Sequence, residues 1–80
     1  MNKSRLRWQC RRGTRELDKL VVWYLDERFD DAGEKEKSAF EALLELPDPD
    51  LIGYLLGKQL PAEESARRVV ECIRSRNQQQ

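Results

Sequence analysis

Eighty residues suffice for one small domain, and a chain of this length buries only about 60% of the surface that its unfolded form exposes. Charged residues make up 38% of the chain, and its fifteen basic and fifteen acidic side chains cancel. So small a core leaves little room for a deep substrate cleft, which favours a binding module over an enzyme.

Charge is unevenly distributed along the chain. The first fifteen residues contain six basic side chains and no acidic one, whereas residues 16–50 contain twelve acidic side chains against four basic ones. A basic N-terminal segment on an acidic body predicts a polarised surface, which influences the choice of partner more than the fold.

The chain contains two cysteines and no histidine, so a zinc site with four protein ligands is not available. We interpret Cys10 and Cys72 as small buried residues in a reduced compartment, the cytosol or a mitochondrial matrix. No apolar run approaches the roughly 20 residues that span a bilayer, so no membrane insertion is expected.

The sequence predicts five helices and no strand. The first spans about residues 2–12, with Leu6 and Cys10 one turn apart, and Gly13 is expected to end it. Thr14 is a suitable N-cap for the second helix, which extends to about residue 31. The second helix has the broadest apolar face, which predicts a central position; its members are Leu17, Leu20, Val21, Val22, Tyr24, Leu25 and Phe29.

A third helix is predicted over about residues 34–46, with apolar residues at helical spacing. Asp48 is a candidate cap for a short fourth helix, Pro49 suits its first helical position, and Gly57 is expected to end it. The residues expected to be buried on these two helices are Ala39, Phe40, Leu43, Leu44, Leu51, Ile52, Leu55 and Leu56.

The fifth helix is predicted to begin at Pro61 and to carry Arg74 and Arg76 at its negative end. Its apolar stripe consists of Ala66, Val69, Val70 and Ile73. Short connections between amphipathic helices predict an all-α, compact bundle of five short helices. We expect one domain over residues 1–76 and a frayed polar tail at residues 77–80.

Catalytic and cofactor chemistry find little support in the residues. There is no histidine to act as a general base, and the carboxylates fall mostly on helix faces opposite the apolar stripes, where solvation is expected. No glycine-rich phosphate-binding pattern occurs, so we predict neither a catalytic residue nor a bound cofactor or metal.

One stretch stands out at the predicted corner between the first two helices, residues 8–18. Arg12 offers forked donors to a carboxylate or to backbone carbonyls, Glu16 lies one turn away, and Gly13 lets a partner backbone approach closely. The residues alone favour a purely structural role, in which Gly13 ends the helix and Arg12 forms an exposed ion pair with Glu16.

This stretch resembles the signature of the SdhE family, the small flavinylation factors of succinate dehydrogenase, whose hallmark is Arg-Gly-x-x-Glu. The hallmark is represented here by Arg12-Gly13-Thr14-Arg15-Glu16, with Trp8-Gln9-Cys10-Arg11 before it and Leu17-Asp18 after it. The similarity extends to the segment 40–44 and the corner 48–51, and covers about residues 5–76.

The resemblance implies a five-helix protein of the bacterial cytoplasm or mitochondrial matrix, of which we favour the bacterial cytoplasm. It also implies that the protein promotes covalent attachment of FAD to the flavoprotein subunit of succinate dehydrogenase or fumarate reductase. It implies no enzymatic role for the chain, which would instead bind the flavoprotein and hold it in a reactive geometry. By the resemblance, the partner-binding residues are Arg12, Gly13 and Glu16, with Trp8, Arg11 and Asp18 beside them. The oligomeric state is left open, with a monomer as the default.

Two other functions were weighed. A nucleic-acid binder could use the basic segment, but the acidic body would repel phosphates and the arginines do not line one helix face, so no nucleic-acid partner is expected. An antitoxin-like module that binds a toxin would share the same fold, and the sequence leaves this alternative open.

Overall fold

Five α-helices follow one another in the computed structural model, which describes residues 3–11 and 15–78. They are α1 (Lys3–Gln9), α2 (Arg15–Glu27), α3 (Glu34–Leu44), α4 (Asp48–Leu55) and α5 (Glu64–Gln78). The described residues contain no strand, so the all-α prediction is confirmed. The radius of gyration, 11.3 Å, is close to the ~11.6 Å expected of a compact domain of this length.

The first helix is shorter than predicted. α1 ends at Gln9, not at Arg12. The Cys10 N–H donates to the carbonyls of both Leu6 (3.0 Å) and Arg7 (3.3 Å), and such shared bonds tighten the last turn of a helix and end it. The predicted stop at Gly13 and the predicted cap at Thr14 lie outside the described residues.

The second helix was predicted to run unbroken to residue 31, and this is wrong. α2 ends at Glu27, and a 3₁₀ turn, Phe29–Asp31, follows it. The cause is Arg28, whose φ of −123° departs from helical values. Beyond it the Asp31 N–H donates to the Arg28 carbonyl at 3.2 Å in the tighter i→i−3 pattern.

The limits of the later helices also differ from the predicted ones. α3 ends at Leu44 instead of residue 46, because Glu45 and Leu46 donate to carbonyls three residues back. Pro47 occupies the N-cap position of α4, so Asp48 is its first residue and not its cap. α5 begins three residues after Pro61, since the first carbonyl to accept a helical bond is that of Glu63, from Arg67 N–H at 2.9 Å.

The domain limits stay a prediction. Asn77 and Gln78 belong to α5, and Gln79 and Gln80 lie outside the described residues.

The core centres on Phe40 of α3, which is completely buried. Its ring lies 4.7 Å from that of Tyr24 and 5.7 Å from that of Phe29, measured between centroids, in tilted arrangements favoured by aromatic pairs. α5 also packs against α3. Six residues that the helical spacing marks as central are all buried, as predicted: Leu20, Val21, Phe40, Leu43, Leu55 and Val69.

Two predictions about burial are wrong. Ile52 and Leu56 were placed in the core but are each 37% exposed, because α4 uses only the stripe formed by Leu51 and Leu55 to pack against its neighbours. Cys10 is buried as expected, whereas Cys72 is half-buried.

Arg74 fastens α5 to the end of α4. Its Nε donates to the Tyr54 carbonyl at 2.7 Å, and its Nη2 donates to the Gln59 carbonyl. The backbone turns tightly here, since a Cβ on Gly57 would lie 2.7 Å from the carbonyl oxygen of Gly53. Arg74 therefore satisfies the carbonyl of Tyr54, which the α-helical ladder leaves open in the last turn of α4, and that of Gln59 in the connection to α5.

Leu43→Ala should lower the free energy of unfolding by about 2–5 kcal/mol, because it removes a large buried side chain at the interface of α3. Urea denaturation followed by circular dichroism measures the loss. Ser38→Ala, an exposed change on the same helix, is the control and should change stability by less than ~0.5 kcal/mol. Equal stability of the two variants would contradict the placement of α3.

Arg74→Met should lower the free energy of unfolding by about 1–3 kcal/mol, because the two carbonyls lose charged donors in a partly buried setting. Arg67→Met is the matched control, since Arg67 also donates to a backbone carbonyl, that of Ala62, but only locally and in solvent. We expect little change from the control. A loss at Arg67 as large as that at Arg74 would show that the connection from α4 to α5 does not depend on Arg74.

Candidate protein-interaction site

Trp8 is the most exposed large hydrophobic residue in the part of the chain that the structure describes. On α1, Leu6 and Cys10 face the core, and Trp8 lies two residues from each, which places it on the opposite side of the helix. The residue is 73% exposed. Tryptophan carries a large apolar area, so a free position on the surface is unusual and typical of a contact residue.

Two ion pairs fix α1 against the end of α2. Lys3 Nζ lies 3.0 Å from Asp30 Oδ2, and Arg7 Nη2 lies 2.5 Å from Asp26 Oδ1. The hydrogen bond from Arg7 to Asp26, together with the carboxylate charge, raises the pKa of the Arg7 guanidinium. Both ion pairs are exposed, and exposed pairs contribute little to stability. Burial of Leu6 and Cys10 therefore holds α1 against the core, and the ion pairs determine the direction in which the helix points.

The predicted partner-binding residues that the structure describes lie on the two sides of the connection between α1 and α2. Trp8 and Arg11 stand at the end of α1, joined by a bond from the Arg11 N–H to the Trp8 carbonyl at 3.2 Å. Glu16 and Asp18 stand in the first turn of α2, where negative charge suits the helix dipole. Arg11 and Glu16 are exposed and Asp18 is half-buried, while Leu17 between them is completely buried.

Arg12 and Gly13, the first two hallmark residues, lie outside the described residues. Their predicted role, and the ion pair between Arg12 and Glu16 that a structural explanation requires, therefore stay predictions. We name the surface of Trp8, Arg11 and Glu16 the α1–α2 corner.

Two other features are absent from the part of the chain that the structure describes. No group of three or more metal-binding side chains comes together there. None of its helices combines the length and apolar character needed to cross a bilayer.

Sequence reasoning missed a cluster around Trp23 on α2. The guanidinium carbon of Arg28 lies 5.6 Å from the centroid of the Trp23 ring, and that of Arg76 lies 5.8 Å from it. These are cation–π distances. Arg76 is about fifty residues away from Trp23 in sequence, so the sequence does not indicate this contact. The only available signal is that Trp23 lies beside the apolar stripe of α2, where a neighbouring element can pack against it.

The fold and the corner together define a small all-helical protein that displays an aromatic residue and charges of both signs at one helix connection. The family model described as "flavinator of succinate dehydrogenase" matches residues 4–77. The chain therefore belongs to this family, and the resemblance found in the sequence is confirmed.

Individual relatives agree with this assignment. The chain is 41% identical, over 95% of its length and 86% of the relative's, to the FAD assembly factor SdhE of Yersinia pseudotuberculosis. It is 38% identical over the same shares to the protein of that name from Pectobacterium atrosepticum, and 37% identical to that from Colwellia psychrerythraea, of which it covers 84%.

The ion pairs of α1 sharpen the expectation about nucleic acids. Two of the six bases in the first fifteen residues are bound to carboxylates, so fewer remain for phosphate contacts. We expect only weak DNA or RNA binding that salt abolishes, measured by fluorescence anisotropy between about 50 and 200 mM salt. Each phosphate contact contributes a slope of roughly −0.9 to the plot of log K against log[salt], so affinity falls steeply over this range. Sub-micromolar affinity that persists at physiological salt would contradict this.

Proposed function

We propose that this protein binds the flavoprotein subunit of succinate dehydrogenase, or of a related fumarate reductase, and promotes covalent attachment of FAD to it. The observation that carries the proposal is the family match over residues 4–77. The names of the relatives, FAD assembly factor, support the same activity. The relatives come from bacteria, and we propose that the protein acts in the bacterial cytoplasm as a monomer.

The proposed role is positioning and not chemical catalysis. The chain has no histidine, so it offers no imidazole as an acid, a base or a flavin acceptor. We assign the bond-forming chemistry to the flavin and a histidine of the flavoprotein, which this protein would hold in the geometry in which they react. Holding two reacting groups in place can remove several kcal/mol of a barrier, up to about 7–11 in well-oriented cases, without any group donated by the helper.

We place the contact with the flavoprotein at the α1–α2 corner. Tryptophan and arginine are enriched at the centres of protein interfaces, and both occur here on the exposed side of α1. Glu16 adds a carboxylate that a partner arginine or backbone N–H could bind. We propose that Arg12 and Gly13 complete this surface, that Gly13 admits the partner backbone, and that Asp18 supports it from the first turn of α2.

The antitoxin-like alternative gains no support from the relatives reported above, all of which carry the name FAD assembly factor. Partner capture from a native lysate separates the two functions, because a flavoprotein subunit or a toxin should dominate the bound fraction.

The direct test mixes apo-flavoprotein, FAD and this protein and measures acid-stable flavin fluorescence on the flavoprotein band. The wild-type protein should accelerate labelling, and Gly13→Arg and Glu16→Ala should not. The first variant places a bulky side chain in the proposed contact, and the second removes a carboxylate from it. Glu34→Ala is the matched control, since Glu34 is also an exposed acid in the first turn of a helix. It should keep full activity.

Trp8→Ala tests the aromatic part of the same surface. It should leave the melting temperature nearly unchanged and weaken the complex at least tenfold, as expected of an interface centre worth more than about 1.4 kcal/mol. Leu60→Ala, an exposed apolar change between α4 and α5, is the control.

Full activity of folded Gly13→Arg and Glu16→Ala would refute the site, and failure of the wild-type protein to accelerate labelling of its cognate flavoprotein would refute the function.

A further inference from the structure

A second feature of the molecule lies away from the α1–α2 corner. A cavity of about 180 Å³ opens between the end of α2, the start of α3 and the middle of α5. Its polar lining comes from Tyr24, Arg28, Asp31, Glu36, Arg68 and Cys72. The volume is below the roughly 300 Å³ at which pockets for drug-sized ligands begin, so only a small molecule would fit.

Tyr24 presents its hydroxyl to this cavity. The residue as a whole is only 3% exposed, and its ring packs on Phe40 in the core. Among residues 3–11 and 15–78 the hydroxyl has no hydrogen-bond partner. Every fully enclosed side-chain oxygen or nitrogen there does have a partner, so the Tyr24 hydroxyl is not fully enclosed. Because Tyr24 lines the cavity, we infer that its hydroxyl is exposed to this space, where a ligand or water can bind it. Burial, with the neighbouring Cys72 and Glu36, raises the pKa of Tyr24 to about 12, so the hydroxyl stays protonated and can donate.

Arg28 brings a cation to the same space. Its guanidinium lies over Trp23 and forms no ion pair with a carboxylate among the described residues. The second cation, Arg68, is bound to Glu64 at 2.9 Å, so Arg28 has the greater free donor capacity. A guanidinium with free donors beside a hydroxyl donor forms a binding set for a carboxylate.

The acidic residues of the lining decide which carboxylate fits. Asp31 and Glu36 balance the two arginines, so the cavity has no net formal charge. A simple anion would be attracted by Arg28 but repelled by the two carboxylates. A simple cation would be attracted by the carboxylates but repelled by the arginines. A molecule with a carboxylate at one end and an ammonium at the other matches both signs at once.

We propose that this cavity is a binding site for a small zwitterion of the amino-acid type, with its carboxylate on Arg28 and Tyr24 and its ammonium on Asp31 and Glu36. The proposal is independent of the flavinylation function. Cys72 gives it a convenient reporter, because this half-buried thiol lines the cavity whereas Cys10, the other thiol, is completely buried.

The experiment follows alkylation of Cys72 by N-ethylmaleimide in the intact protein. Glycine, β-alanine and γ-aminobutyrate, which separate the two charges by increasing distances, serve as probes up to 50 mM. At least one should slow alkylation threefold or more, with a dissociation constant in the millimolar range. Acetate and methylammonium at equal concentration should not slow it. Cys72→Ser gives the background from Cys10.

Two pairs of variants tie the effect to the cavity. Tyr24→Phe keeps the ring on Phe40 and removes only the hydroxyl, so it should fold normally and bind the best probe about fivefold more weakly. Tyr54→Phe, the same change outside this cavity, should bind like the wild-type protein. Arg28→Gln should abolish protection, and Arg67→Gln should preserve it.

Protection by acetate or methylammonium alone, no protection by any zwitterion, or equal binding by Tyr24→Phe and the wild-type protein would each overturn the proposal.

Discussion

The packing of Phe40 against Tyr24 and Phe29 is the contact on which the other parts of the structure depend. It joins the end of α2, the 3₁₀ turn and the middle of α3 in one buried aromatic cluster, and α5 packs against α3. In a chain this short, a few large side chains supply much of the buried area, so the position of each neighbouring element follows from this cluster.

The cluster also determines how α1 sits on the molecule. With Phe29 held in the core, the 3₁₀ turn directs Asp30 outward, where it binds Lys3, and Asp26 one turn earlier binds Arg7. Leu6 and Cys10 then lie on the core side of α1, and Trp8 can only face solvent. The exposure of Trp8 is thus a consequence of the packing around Phe40, several contacts away.

Helical periodicity predicted the fold well because burial follows it in α2, α3 and α5, where stripes such as Leu17, Leu20, Val21 and Tyr24 are buried as expected. It failed at helix ends, where single hydrogen bonds decide the limit, as at Cys10 and Arg28. It also failed on α4, because a pattern shows that Ile52 and Leu56 are apolar but not whether a neighbour covers them.

The candidate site stays a prediction, and it rests on a different kind of signal. The corner was found through a motif, Arg12 to Glu16, whose chemistry allowed a structural explanation as well as a functional one. Its described residues have the exposure expected of a contact surface, which the pattern of α1 already indicated for Trp8. The Arg28–Trp23–Arg76 cluster was beyond prediction, because its members come from two helices about fifty residues apart.

The structure changes the interpretation of the uneven charge distribution along the chain. The uneven distribution of basic and acidic residues predicts a polarised surface. In the structure, however, Lys3 and Arg7 of the basic segment are paired with Asp30 and Asp26. The net charge of each segment cannot reveal such pairs. Charge in this protein therefore serves assembly of the fold at α1. Arg11, Arg15 and Glu16 are exposed on the two sides of the connection between α1 and α2 and present both signs of charge in this area. Such an area favours a partner with matching charges of both signs over a polyanion, since mixed charge adds specificity more than affinity. A protein surface can meet that requirement, and a phosphate backbone cannot.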